Sequence, residues 1–506
     1  MDPIALLTLV AAAGFVFKKF SSQARYNDES EAPELKYKPK IFATANRILD
    51  EETDLDEIEI LPEYQVVYKL VESGFPLIFV TGGAGTGKST FVKWMTKRFN
   101  GQVLLGAPTG VAAVNIEGKT LSSLCQLPPA WIVKTDIKQA PHRREIQQAK
   151  LLIIDEISMV NANLLDGVSA FFRFNRKIDK AFGGLPVVLV GDMFQLPPAI
   201  NKETKDLFQR VYGTAKFYNA KSLGSSPYYA VELGKTFRQS DQSFVDLLTD
   251  IREGRNLPTA LAKLNSECSI TSSPPGGAVW LSPRNAEVNT INARELQALD
   301  NKEFLFHGVI SGLFKNDRLP SPMILRLKKG AQVMFTQNDK KKRWINGSVG
   351  IVNEVYENEI VVKLTPSGKC IDVERAIWLD FRYEWNAEEQ TIARIETGSY
   401  AQFPLILAWA STIHKSQGKT INRVHLDLGA GAFDTGQTYV ALSRCRSISG
   451  LSMSRPLRES DILVDQESVK FYDHLRAIIE KLPPKKMLEK LHHEDNLRAT
   501  GNDVAF

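Results

Sequence analysis

Short runs that are apolar throughout recur along the chain, separated by stretches whose apolar positions have helical spacing. "LIFV" at 77–80 opens the series, followed by "VLLGA" at 103–107, "LLIID" at 151–155 and "PVVLVGD" at 186–192. "LILAWA" at 405–410 and "VHLDL" at 424–428 come more than two hundred residues later. Continuous apolar runs, in contrast to alternating ones, predict strands buried on both faces, and hence a parallel sheet covered by helices. The break in the series predicts two such α/β domains, one at 59–230 and one at 231–460. The segment 234–254 places Phe244, Leu247, Leu248 and Ile251 on one helical face.

Between the last two groups the pattern changes. Residues 323–364 hold short strands rich in β-branched residues, broken by "NDKKK" and "NG". They predict a small β-barrel or meander inserted in the second domain, at about 340–402. A proline-rich stretch at 126–144 carrying Trp131 reads as a small insert of the first domain, and 461–506 as a helical tail. At the other end, the apolar run 3–17 would form a helix of ~22 Å, shorter than the ~30 Å hydrocarbon core of a membrane. With Lys18 and Lys19 behind it, the segment 1–20 reads as a marginal membrane anchor holding the rest on the cytoplasmic side, as a helix docked on the protein, or as the product of a wrongly chosen start codon. Residues 21–58, with the acidic "LDEETDLDEIEI", read as a linker.

Composition narrows the class. At 506 residues, 43% hydrophobic and 24% charged, the chain has an ordinary globular composition, long enough for several cores, which excludes a disordered or fibrous protein. Lys and Arg number 63 against 58 Asp and Glu, and the net charge of +5 allows a nucleic-acid partner without requiring one. Cys125, Cys268, Cys370 and Cys445 lie far apart with no C-x-x-C pair, which argues against zinc and a disulfide framework.

Chemistry enters at "GGAGTGKST". Gly82, Gly87, Lys88 and Ser89 match G-x-x-x-x-G-K-[ST] between a predicted strand and a predicted helix. In such a loop the backbone N–H groups of Gly82, Gly83, Ala84, Gly85, Thr86 and Gly87 form an anion nest at a helix N-terminus that continues through Thr90. Lys88 reaches the β/γ-phosphates of ATP and Ser89 ligates Mg²⁺. The loop fixes the nucleotide but not the task, because kinases, GTPases, transporters and motors share it. Asp155 and Glu156 close a buried strand, where one carboxylate can hold Mg²⁺ through water and the other can polarise a water attacking the γ-phosphate. Gln195, in "GDMFQLPP", can sense the γ-phosphate, and Arg238 and Arg444 can stabilise charge on the transferred phosphoryl group when two domains close.

Taken in order, "GGAGTGKST", "GAPTGVAAVNIEGKTLSSL", "LLIIDEISMV", "VVLVGDMFQLPP", "LGKTFRQ", "FTQNDKKKRWINGSVGIV", "STIHKSQGKT" and "TYVALSRCRSISGL" resemble the Pif/RecD-like superfamily 1B DNA helicases, over about residues 60–455. "LLDGVSAFFRFNRKIDKAFGG" at 164–184 resembles the segment that marks the Pif-type branch. The resemblance implies tandem RecA-like P-loop motor domains in a monomer that moves 5′ to 3′ on single-stranded DNA and unwinds duplex or forked DNA, in replication, repair or recombination. It puts Lys88, Ser89, Asp155, Glu156, Gln195, Arg238 and Arg444 in the ATP site, and Gln65 on adenine. Thr109, Thr120, His414, Lys415 and Gln417 match motifs that line the DNA track or couple it to ATP. Ser122 stands where the family usually shows a histidine. The same motifs would serve a DNA-stimulated translocase without unwinding activity of its own. A P-loop phosphotransferase or switch would need neither the second-domain arginines nor "TIHKSQG".

Overall fold

The computed structural model describes residues 60–499, apart from 129, 201, 225, 237–241, 273, 315–318, 338, 340, 342, 345, 358, 366 and 387–390. The segments 1–20 and 21–58 and Arg238 lie outside the described residues. Among the described residues no helix is long and apolar enough to cross a membrane.

The first four apolar runs form β1 (Leu77–Thr81), β2 (Val103–Ala107), β4 (Leu151–Ile154) and β5 (Val187–Gly191) of one sheet, which β3 (Lys119–Thr120) and β6 (Tyr228–Glu232) complete. Their order is β3-β2-β4-β5-β1-β6, with every pairing parallel. Successive residues of a strand face opposite ways, and both faces are apolar. Leu77, Phe79, Leu152, Ile154 and Leu189 join one core, while Ile78, Val80, Leu151, Ile153 and Val188 join another. Helices α1 (Pro62–Glu72) and α2 (Lys88–Arg98) cover the second face with Tyr64, Val67, Phe91 and Trp94. On the first, α3 (Ala162–Arg176) buries Leu165, Val168, Phe171 and Phe172. At about 1.5–3 kcal/mol for each large side chain taken fully from water, burial on both faces is what holds a sheet with no solvated side together.

The proline-rich insert is pinned to α3 by two asparagines about three turns apart along the helix. Asn163 Oδ1 accepts from the Ile132 N–H at 2.7 Å and its Nδ2 donates to the Ile132 carbonyl at 3.0 Å. Asn175, fully buried, accepts from the Ala140 N–H at 2.8 Å and donates to Lys138 and Phe171 carbonyls. Trp131 packs edge-on against Phe208, ring centres 4.9 Å apart. His142 is half-buried, and burial lowers its pKa.

The second α/β unit starts with α4 (Gln242–Glu253), whose Phe244, Leu247, Leu248 and Ile251 are buried as their spacing predicts. Its strands β7 (Ser269–Ile270) and β8 (Val279–Ser282) are followed by β9 (Glu303–His307), β10 (Val309–Gly312), β11 (Ile324–Lys328), β12 (Gln332–Phe335) and β13 (Val349–Val355). Then come β14 (Ile360–Thr365), β15 (Cys370–Val373), β16 (Ala376–Asn386), β17 (Thr391–Gln402) and β18 (Leu405–Leu407). The strands β19 (Ala410–Thr412), β20 (Val424–Leu426) and β21 (Leu451–Met453) return to the parallel sheet, ordered β19-β8-β20-β21-β7.

The strands of the inserted region run from Glu303 to Leu407, well beyond 340–402, and form a five-stranded antiparallel sheet β15-β14-β13-β12-β18 with smaller pairings β11-β9 and β10-β17-β16. Its own core contains Leu325, Leu327, Val333, Phe335, Val362, Phe403 and Leu405. "LILAWA" is not one strand. Leu405–Leu407 pairs antiparallel with β12, while Ala410–Thr412 pairs parallel with β8. The chain changes sheets at the buried Gln332, whose Nε2 donates to the Ala278 and Ala408 carbonyls.

After α5 (Gln437–Leu442), helices α6 (Gln466–Lys481) and α7 (Pro484–Ala499) fold back on the first domain. Phe471 packs on Phe79 and Phe217, the Tyr229 hydroxyl donates to the Leu482 carbonyl at 2.6 Å, and Met487 and Leu491 join the core of α1 and α2.

Replacing Asn175 by Ala leaves the Ala140 N–H buried without its acceptor. The expected cost is about 1–3 kcal/mol, read from the midpoint of denaturant unfolding. A change below about 0.5 kcal/mol would show that the insert is held by other contacts.

Candidate active site

Parallel strands that end together expose their carboxyl ends as a crevice, and the candidate residues gather there. The loop after β1 turns into α2 at Gly87, whose φ of 86° is left-handed and open to glycine. Tyr64 of α1 donates its hydroxyl to the Gly87 carbonyl at 3.2 Å and so fixes the loop from behind. Thr86 closes it from within by donating to Gly83. The Lys88 ammonium lies back over the loop and donates to the carbonyls of Gly82 and Gly83, both at 2.8 Å. Burial lowers its pKa, against the pull of Asp192 and Glu156. Ser89 and Thr90 are exposed at the first turn of α2, and Gln65 is exposed on α1.

Asp155 and Glu156 follow β4. Burial pushes the Asp155 carboxyl up to about 7, and the Glu156 charge adds to the shift. Glu156 has φ 49° and ψ 45°, a left-handed backbone unusual for a glutamate. Strain of this kind persists only where surrounding structure imposes it, and it concentrates at functional sites. This donor set suits Mg²⁺: an exposed Ser89 hydroxyl and a buried carboxyl whose ionisation a divalent cation would restore. Bound there with ATP, the ion would neutralise charge shared by the β- and γ-phosphates.

The second domain enters the same crevice. Gln417 is buried, and its Nε2 donates to Glu156 Oε2 at 3.1 Å and Gln195 Oε1 at 3.2 Å, which places it among the ATP-site candidates. Its Oε1 is buried without a hydrogen-bond partner. Arg444 is fully buried, with Nε on the Val440 carbonyl at 2.8 Å, Nη2 on Ser443 Oγ at 2.8 Å and Nη1 facing the Ser416 and Lys419 carbonyls. Burial lowers its pKa, and Glu156 is the leading charge opposing that shift.

The other candidates lie at the carboxyl ends of strands in both sheets. Thr109, two residues after β2, and Thr120, at the end of β3, are helix N-caps, accepting from the Ala112 and Ser123 N–H groups. After β19, Thr412 caps the turn carrying His414, half-buried, and Lys415, exposed. Asn346 Nδ2 donates to Asn115 Oδ1 at 2.9 Å, joining the inserted region to the helix that Thr109 caps.

Four residues at the centre of the crevice were missed by the sequence reading. Asp192, with no exposure, accepts from Arg252 Nε at 3.0 Å, the Tyr439 hydroxyl at 2.8 Å and the Phe194 N–H at 3.2 Å. Burial alone would raise its pKa, but Arg252, Lys88 and Tyr439 outweigh it and hold the carboxyl below the usual range. The Arg252 guanidinium lies 4.7 Å from the ring centres of both Phe194 and Tyr472. Asp192 and Tyr439 sit inside quoted motifs. No spacing in the sequence connects them to Arg252 or Tyr472.

Comparison with known proteins agrees with this geometry. The family model described as PIF1-like helicase matches residues 62–259. The ATP-dependent DNA helicase Pif1 of Bdellovibrio bacteriovorus is 32% identical over 439 residues, covering 83% of this chain and 93% of that protein. The human ATP-dependent DNA helicase PIF1 is 34% identical, and the matched part spans 57% of its length. Among solved structures, Bacteroides sp Pif1 in complex with ADP-AlF4 has a TM-score of 0.76 at 34% identity, covering 83% of this chain and 98% of that one. Bacteroides Pif1 with ADP-AlF3 and ssDNA has a TM-score of 0.62 at 33% identity, with the same coverage.

The Asp155 shift makes a pH-dependent prediction for the protein without nucleotide or Mg²⁺. A carboxyl held at about 7 keeps its proton where the unfolded chain, at 3.8, has lost it. Its contribution to stability therefore falls as pH rises through that window. Asp155→Asn does not titrate, so its stability relative to wild type should increase between pH 5 and pH 8 by an amount of order 2 kcal/mol, measured by thermal unfolding. A pH-independent difference would show that Asp155 is ionised throughout.

Proposed function

The chain belongs to the PIF1-like helicase family, and from that premise we infer that it is an ATP-dependent DNA helicase, moving 5′ to 3′ on single-stranded DNA and separating the duplex ahead. The observation that carries this reading is Gln417. One side chain of the second domain touches both Glu156 and Gln195 of the first, so closure of the domains and completion of the hydrolytic site are one event. A P-loop switch that acts through its own domain has no use for that contact.

In this reading Lys88 leaves the Gly82 and Gly83 carbonyls for the phosphates, and the loop amides cradle them. Glu156 polarises the attacking water, with Gln195 and Gln417 fixing the orientation of its carboxylate. Arg444, joined by Arg238, stabilises charge on the transferred phosphoryl oxygens from the second domain. Thr109, Thr120, His414 and Lys415 contact the strand. Their number and polarity suit sequence-independent grip on phosphates, which the two domains tighten and relax in turn.

The test is ATP turnover with and without single-stranded DNA, together with strand displacement on duplexes carrying a 5′ or a 3′ tail. DNA-stimulated turnover with displacement from the 5′ tail is expected. Stimulated turnover without displacement would make the protein a translocase, and unstimulated turnover would remove the motor reading. Lys88→Ala should abolish hydrolysis, whereas Glu156→Gln should bind ATP and turn over very slowly. Arg444→Ala should lower kcat by about 10³ with little change in nucleotide affinity. Wild-type kcat in Arg444→Ala would exclude it from the transition state.

A further inference from the structure

The Ala84 N–H belongs to the loop whose amides serve phosphate, yet here it donates to the hydroxyl of a second-domain residue, Tyr439, at 2.9 Å. That hydroxyl in turn donates to Asp192 Oδ2 at 2.8 Å, and Asp192 also accepts from Arg252 at 3.0 Å. The result is a continuous polar chain from the P-loop, through the second domain, to a buried ion pair. The Tyr439 ring needs no hydroxyl to fill its place in the core, and a buried hydroxyl is tolerated only when both its neighbours are satisfied. Its two partners are the Ala84 amide of the loop and the Asp192 carboxylate.

Tyr439 lies on α5, buried along its whole length, and Arg444 follows one turn later with its Nε bound to the Val440 carbonyl of the same helix. The helix begins at Gly436, with φ of 74°, where a Cβ would stand 2.5 Å from the Phe194 carbonyl. So close an approach packs the start of α5 against the first domain, and the bond to Val440 ties Arg444 to the same short helix as Tyr439.

We propose that Tyr439 is a positioning residue: its hydroxyl occupies the Ala84 amide when the loop is empty, gives that amide up to the phosphates of the nucleotide, and carries the displacement along α5 to Arg444. The proposal rests on the ATPase reading above. It makes the second domain a competitor for the P-loop as well as the source of a group for the transition state.

Tyr439→Phe keeps the ring and removes only the competing hydroxyl. In the full-length protein, the Kd for a fluorescent ADP and the KM for ATP should fall several-fold, while DNA-stimulated kcat should fall about tenfold, the worth of one buried hydrogen bond. A lower melting temperature with unchanged kcat and affinity, or a weaker affinity, would overturn the proposal. Hydrogen exchange on the wild-type protein tests it without a variant. The Ala84 amide should be protected in the absence of nucleotide, and rapid exchange there would overturn it. A wild-type protein without DNA-stimulated turnover would sink the helicase reading, whereas an active wild type matched by Tyr439→Phe would sink only this inference.

Discussion

A carboxylate sealed from water has to be balanced where it sits, and the placement of the parts around Asp192 follows from that requirement. Removing one partner of a buried pair costs about 3–5 kcal/mol, because the other charge is left unmatched in a medium that cannot solvate it. Asp192 ends the strand next to the P-loop strand, Arg252 comes from the first helix after the first sheet, Tyr439 from the second domain, and Tyr472 from the C-terminal helix. Glu253 binds Arg252 and is bound by Arg476, while the Tyr472 hydroxyl meets Glu232 at the end of β6. Segments far apart in the chain are thus tied to one charge, which Tyr439 links to the loop between β1 and α2.

Around that knot the two kinds of force divide the work. Burial without direction builds the sheets, since any apolar residue of fitting volume serves at Ile78 or Leu152. Directed contacts build the crevice, and there the tolerance is small. Gly436 admits no side chain against the Phe194 carbonyl, and Glu156 is held in a left-handed backbone. Gln417 bridges two first-domain residues through a single amide nitrogen. A cleft made this way changes when its walls move by fractions of an ångström, and a cycle of closing and opening can use that sensitivity. The C-terminal helices add a second link between the domains. They anchor in the core of the first sheet, and on α6 Tyr472 meets Arg252 while Arg476 binds the neighbouring Glu253.

Reading the chain from its letters gave both parallel sheets, because a strand covered on both faces leaves a run of apolar residues that nothing else of that length leaves. It gave the P-loop, Asp155 and Glu156, because the chemistry of a phosphate demands particular residues at particular spacings within one short stretch. It misjudged the extent of the inserted region, whose outer strands β9, with Phe306 buried and Leu305 exposed, and β10 are too short to stand out from loop. It also took "LILAWA" for one strand, since an apolar run records that residues are buried and not in which sheet.

What the sequence determined by itself is therefore local: which segments are buried, which loop carries the phosphate-binding pattern, and which carboxylates follow a buried strand. Each of these is written within a few neighbouring residues, where the period of the backbone or the reach of one ligand sets the pattern. The tertiary structure alone decided that Gln417 belongs with Glu156 and Gln195, that Arg252 neutralises Asp192, and that Tyr439 occupies the Ala84 amide. Those pairs are separated by 60 to 355 positions. A hydrogen bond acts over about 3 Å of space and leaves no period along the chain, so only folding brings such partners into view.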